Sequence, residues 1–158
     1  MNRPTDVTFT LNGTPQTVRV EPRRTLVDVI REDCGATGTH TGCEHGVCGA
    51  CTVLLDGAPV RSCLMFAVQA EGHDIRTVEG LADGAGLSAL QQAFIDRHAL
   101  QCGFCTPGFL MLATAILEQD RDIDDSELTD ILASNLCRCT GYQNIAAAVR
   151  AVIDERRS

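Results

Sequence analysis

Eight of the nine cysteines in this chain fall in two tight groups, and no other feature limits its possible folds as strongly. The first group is Cys43, Cys48 and Cys51, joined after eleven residues by Cys63. The second is Cys102-Gly-Phe-Cys105, followed thirty-one residues later by Cys137-Arg-Cys139. Thiols this close are disulfide partners, redox pairs or metal ligands. The amino terminus, MNRPTDVTFT, lacks the apolar stretch of a secretory signal, so the expected location is the cytoplasm, where disulfide frameworks do not persist. The odd count also fits poorly with complete pairing. Ligation or redox chemistry is the expectation. Cys34 stands outside both groups and reads as a small, partly buried thiol.

Composition supports a ligand-assisted fold. A chain of 158 residues suits one domain or two small ones. Hydrophobic residues make up 44%, enough for a core, but aromatics only 4%, with no tryptophan. A core short of large rings gains cohesion from bound metal. A formal net charge of -8 argues against nucleic acid or an anionic membrane as the main partner. No apolar run is long enough to span a bilayer.

The chain divides as its cysteines do. Val7, Phe9 and Leu11 alternate with polar residues as in a half-buried strand, Asn12-Gly13 is a turn, and Thr17 to Glu21 returns. Thr25-Leu-Val-Asp28 has a capping pattern, opening a helix with Leu26, Val29 and Ile30 on one face. Thr52 to Leu55, a turn at Asp56-Gly57, a return at Val60, and Ile75 to Val78 add strands. From about residue 85 the periodicity is helical: Leu87, Leu90 and Phe94; Phe109 to Leu117 after Pro107; Leu128, Ile131 and Leu132 after Asp124, Asp125 and Ser126; and Ile145, Val149, Val152 and Ile153. The fold class is α+β, with residues 1–78 forming a strand-rich domain and 79–158 a four-helix bundle. Residues 79–86 read as a linker, and the acidic stretch from Asp120 to Asp130 as a solvated turn.

The C-x4-C-x2-C spacing with a distant fourth cysteine is that of plant-type [2Fe–2S] sites. Two sulfide-bridged irons need four thiolates around a compact anionic core, and one loop supplies three only by wrapping it. Gly42, Gly46 and Gly49 leave room for backbone N–H groups to reach the sulfurs. Zinc fits C-x4-C less well. Cys48-Gly-Ala-Cys51 has the spacing of a redox pair, but a further cysteine lies five residues upstream of Cys48. Cys43-Glu-His45 has the look of half a Rieske site, but no other cysteine has the matching histidine, so His45 reads as a loop residue. In the second group each pair precedes an expected helix, whose N-terminus favours an anion. Spacing alone leaves cluster and zinc both open there.

The two groups together, in this order, resemble the small iron–sulfur subunit of the xanthine dehydrogenase family of molybdenum hydroxylases. The matching stretches are GCEHGVCGACTV (42–53), VRSC (60–63), LQQAF (90–94), ALQCGFCTPG (99–108) and NLCRCTGYQNI (135–145). The resemblance spans about residues 5 to 155. It implies a ferredoxin-like β-grasp domain holding one [2Fe–2S] cluster through Cys43, Cys48, Cys51 and Cys63. It implies a helical domain holding a second through Cys102, Cys105, Cys137 and Cys139. Gln101 and Cys139 match residues that approach the molybdopterin cofactor of a large partner subunit. Electrons would then leave through the first group to FAD on a medium subunit, in an assembly expected to be a dimer of heterotrimers. His40 departs from the lysine common in the family, and Glu44-His45 varies its loop. Because the chain stops at Ser158, the molybdenum and flavin modules are expected on separate polypeptides. No acid, base or nucleophile for a substrate stands out, so electron transfer is the expected chemistry. Gly84-Ala-Gly-Leu-Ser-Ala89 matches a dinucleotide fingerprint, but no strand is expected before it and no parallel strand after it.

Overall fold

The computed structural model describes residues 3–82, 84, 86–119 and 121–157. Strand β1 (Thr5–Leu11) and strand β2 (Thr14–Val20) form an antiparallel hairpin. Its two turn residues, Asn12 and Gly13, both take positive φ (50° and 77°), as the twist-matched two-residue turn requires. Val7, Phe9 and Leu11 are buried and their neighbours are not, which is the expected alternation. Strands β3 (Thr52–Leu55) and β4 (Ala58–Arg61) form a second hairpin through Asp56-Gly57. Strand β5 (Asp74–Arg76) joins the hairpins, parallel to β1 and antiparallel to β3, giving the order β2-β1-β5-β3-β4. Helix α1 (Leu26–Asp28) is capped by the Thr25 hydroxyl, which accepts the Asp28 N–H at 3.3 Å, and runs on as a wider turn to Asp33. Leu26, Val29 and Ile30 join Phe9, Val53 and Ile75 in one core.

Strand β5 ends sooner than the expected Ile75–Val78. The Thr77 N–H turns to the Asn12 side-chain oxygen at 2.9 Å, and Val78–Leu81 form a helical turn. The first part of the expected linker is therefore tied down, with Glu79 accepting the Gly38 N–H at 2.7 Å. The rest of that stretch includes Asp83 and Ala85, which lie outside the described residues. A helical turn, not a strand, precedes the glycine fingerprint.

Four helices follow: α2 (Ala89–Asp96), α3 (Thr106–Glu118), α4 (Asp125–Leu132) and α5 (Gln143–Arg157). Ser88 and Gln91 cap α2 reciprocally. Asp124 caps α4 by accepting the Glu127 N–H at 2.8 Å. Leu90, Phe94, Phe109, Leu132, Ile145 and Val149 share a second core. Helix α3, buried on nearly all sides, joins the halves: Leu54 of β3 packs with its Met111 and Ala115, and Arg76 of β5 pairs with its Glu118. The fold is α+β, a mixed sheet with helices. The acidic stretch is more than a turn, because Asp122, Asp125 and Glu127 meet Arg157, Arg150 and Arg121 at 2.7, 2.8 and 2.5 Å. Asp120 lies outside the described residues. Among the described residues, no helix is long and apolar enough to cross a membrane.

Candidate metal centres

The first thiol group lies on the loop between α1 and β3. Gly46 and Gly49 take φ of 83° and 73°, which lets the loop curl. A Cβ on Gly42 would sit 3.1 Å from the Cys48 sulfur, so the expected close approach is real there. The Cys48 N–H donates to the Cys43 sulfur at 3.3 Å. That bond, followed by the one from the His45 backbone, lowers the Cys43 thiol to about 6. The His45 ring meets the loop backbone, with Nδ1 2.5 Å from the Cys43 carbonyl.

The β3–β4 hairpin brings in the fourth thiol. Thr52 pairs with Arg61, so Cys51 and Cys63 flank the open end of the ladder. Ser62 locks that end, its hydroxyl donating to the Cys51 carbonyl at 2.6 Å. Both thiols are buried. Burial, then the neighbouring Cys51, pushes Cys63 up to about 11, against a backbone hydrogen bond from Gly46.

In the second group, Cys105 stands at the entry of α3, and Cys137 and Cys139 precede α5. The sulfurs of Cys102 and Cys139 lie 3.5 Å apart. Cys105 pairs with Cys137, and its thiol is pushed up to about 12, first by burial and then by that neighbour. Burial also opposes ionisation of Cys137, but the Thr140 hydroxyl at 3.1 Å and N–H at 3.4 Å, together with the Cys139 N–H and the Cys105 thiol, outweigh it and hold this thiol low. The Cys137 N–H donates to the Tyr142 hydroxyl at 3.1 Å. Cys102, Cys105, Cys137 and Cys139 line a cavity of about 510 Å³ with Phe104 and Tyr142. Cys102 and Cys139 are exposed at its mouth, where Gln101 donates its side-chain N–H to the Cys139 carbonyl at 3.1 Å.

At both places the thiols come in twos: Cys43 with Cys48, Cys51 with Cys63, Cys102 with Cys139, and Cys105 with Cys137. Two irons each taking two thiolates require that arrangement. A single zinc ion would need all four sulfurs about 2.3 Å from one point. Among the described residues, no three His, Cys, Asp or Glu side chains converge to hold one ion. The donor sets fit binuclear clusters. Cys34 lies elsewhere, packed against the first core, its thiol raised by burial and by Asp33.

Comparison with known proteins agrees with this geometry. The family model described as a 2Fe-2S iron-sulfur cluster binding domain matches residues 9–82, and that described as a [2Fe-2S] binding domain matches 77–150. The xanthine dehydrogenase iron-sulfur-binding subunit of Escherichia coli O157:H7 is 46% identical over 153 residues, covering 94% of this chain and 96% of that one. The chain belongs to the small iron–sulfur subunits of the xanthine dehydrogenase family of molybdenum hydroxylases. Caffeine dehydrogenase subunit gamma from Pseudomonas sp. (strain CBB1) is 56% identical over 149 residues, covering 92% of this chain and 89% of that one. In the crystal structure of quinoline 2-oxidoreductase from Pseudomonas putida 86, one chain superposes with a TM-score of 0.93 at 51% identity, covering 98% of this chain and 97% of that one. This iron–sulfur subunit is therefore a non-catalytic electron-transfer component of an oxidoreductase complex, with two [2Fe–2S]-binding domains.

Sequence reasoning anticipated backbone donors at the first site but missed the Thr140 donor at the second and the contacts that join the two loops. Thr140 carries a signal in hindsight, a hydroxyl three residues after a cysteine at a helix entry. Asn135 and Arg61 have none, because their partners lie far away in sequence. His40 stacks on Phe104 with ring centres 4.9 Å apart and Nδ1 2.8 Å from the Phe104 carbonyl, a contact between the two thiol-bearing loops.

Proposed function

We propose that this subunit relays electrons from a molybdopterin cofactor on a large partner subunit, through two [2Fe–2S] clusters, to FAD on a medium partner subunit. Cys43, Cys48, Cys51 and Cys63 hold the cluster nearer the flavin. Cys102, Cys105, Cys137 and Cys139 hold the one nearer the pterin. A [2Fe–2S] cluster supplies one-electron redox chemistry when bound. The chain's own residues supply thiolates, hydrogen-bond donors and exclusion of water. The pairwise placement of the eight thiols carries this reading. Exposure of Cys102 and Cys139 beside Gln101 favours that end for the pterin, with Gln101 and Cys139 in contact with it. The ferredoxin-like domain takes residues 1–78, as a β-grasp, and the four-helix bundle takes 79–158. The assembly is a cytoplasmic dimer of heterotrimers.

Coexpression with candidate large and medium subunits tests this. The expected result is one complex in which adding substrate anaerobically bleaches the visible absorbance of both clusters. A chain that stays a stable lone monomer under coexpression would contradict the reading.

A further inference from the structure

Three consecutive residues before Cys137 are each fastened to the other half of the molecule. The Ser134 carbonyl accepts from Arg61 Nη2 at 2.8 Å. Asn135 Nδ2 donates to the Gly49 carbonyl at 3.4 Å. The Leu136 N–H donates to the Cys48 carbonyl at 2.8 Å. Arg61 also reaches the Thr52 hydroxyl, which in turn donates to the Gly49 carbonyl at 2.6 Å. The seam thus joins the backbone of Cys48 and Gly49 to the residue preceding Cys137.

Asn135 is the centre of this seam. It is 1% exposed, and its side-chain oxygen has no hydrogen-bond partner among the described residues. Such a group carries a desolvation cost with no return in stability. Its surroundings leave no slack. A Cβ on Gly49 would fall 2.0 Å from the Asn135 side-chain oxygen, and φ there is 73°. A Cβ on Gly108, in the first turn of α3 and three residues after Cys105, would fall 2.3 Å from the Gly49 carbonyl and 3.2 Å from Asn135 Nδ2. Two glycines from the two halves meet on one buried amide, Gly49 directly after Cys48 of one site and Gly108 three residues after Cys105 of the other.

We propose that Asn135 is a positioning residue that, with Gly49 and Gly108, sets the separation between the two cluster sites. The proposal rests on the reading that both sites hold clusters. Wedging the seam open moves the Cys105–Cys137 site away from the Cys43–Cys48 pair without touching a ligand. Electron tunnelling between the sites depends on that distance, so the seam governs transfer rate rather than cluster loading.

The test uses the holoprotein with its partners, reduced with dithionite, in two variants: Gly108→Ala, which wedges, and Asn135→Ser, which withdraws the amide. Three quantities are read: iron and sulfide content, the low-temperature EPR splitting from spin–spin interaction of the reduced clusters, and hydrogen exchange at the Leu136 N–H. The expected result is unchanged iron and sulfide in both variants. The splitting decreases in Gly108→Ala and broadens in Asn135→Ser, with faster Leu136 exchange. Full loading with wild-type splitting and exchange in both would overturn the proposal. Loss of a cluster in Asn135→Ser would also overturn it, by making the amide part of a site rather than of the spacing. If Gly108→Ala does not fold, Asn135→Ser decides alone. Fewer than two cluster signals in the unmodified protein would defeat the cluster reading instead, and Leu136 exchange would still judge the seam.

Discussion

The two thiol sites solve the same problem by different means. The first draws three thiols from one curled loop, and its sulfur donors are backbone N–H groups from Cys48, His45 and Gly46. The second draws two thiols from each of two helix entries, and its main donor is a side chain, Thr140. A loop site is built by local conformation: positive-φ residues turn the chain and expose its amides. A helix-entry site is built by packing, because α3 and α5 must dock before Cys105 meets Cys137. The first should therefore tolerate damage to the helical core, and the second should not.

Ligand substitutions break the comparison most sharply. Cys51→Ser should abolish the first cluster and leave the second, lowering iron from about four to about two per chain with one EPR signal remaining. Cys137→Ser should do the reverse. If either change removed both clusters, the sites would not be independent. Next comes the core of the helical half. Phe109 is fully buried and meets Tyr142 edge to face at 6.2 Å between ring centres. Phe109→Ala should cost about 3–5 kcal/mol of stability and release the second cluster first on denaturant titration.

A smaller effect separates the donors. Thr140→Val removes an O–H donor from the Cys137 sulfur, so redox titration should show a more negative potential at the second site only, with Thr140→Ser restoring it. Smallest is a pH effect at the edge of the sheet. The Asp56 carboxyl is held below its ordinary value, first by the Asp74 N–H at 2.9 Å and then by His73. A depressed carboxylate stabilises the fold above its unfolded pKa and loses that contribution as pH falls through the folded value. Asp56→Asn should therefore lower stability slightly at neutral pH and flatten the acid limb of a melting-temperature profile.

Much of this architecture was legible because it is encoded locally. Alternation marked β1, two turn dipeptides marked both hairpins, and Pro107 with an apolar run marked α3. The cysteine spacings located both sites. What escaped notice depends on contacts far apart in sequence. Strand β5 stops at Arg76 because Asn12, from the β1–β2 turn, captures the Thr77 N–H. Glu79 is held by Gly38, so the apparent linker is fastened at its start. Zinc and cluster could not be told apart at the second site from spacing, because spacing does not reveal that thiols group in twos. That became visible only when Cys102 was placed against Cys139.

The most direct measurement is iron, acid-labile sulfide and zinc content of the purified protein, with EPR of its reduced form. The account predicts about four irons and four sulfides per chain, no stoichiometric zinc and two distinct signals. Zinc at the Cys102–Cys139 site, with a single iron–sulfur signal, would contradict it.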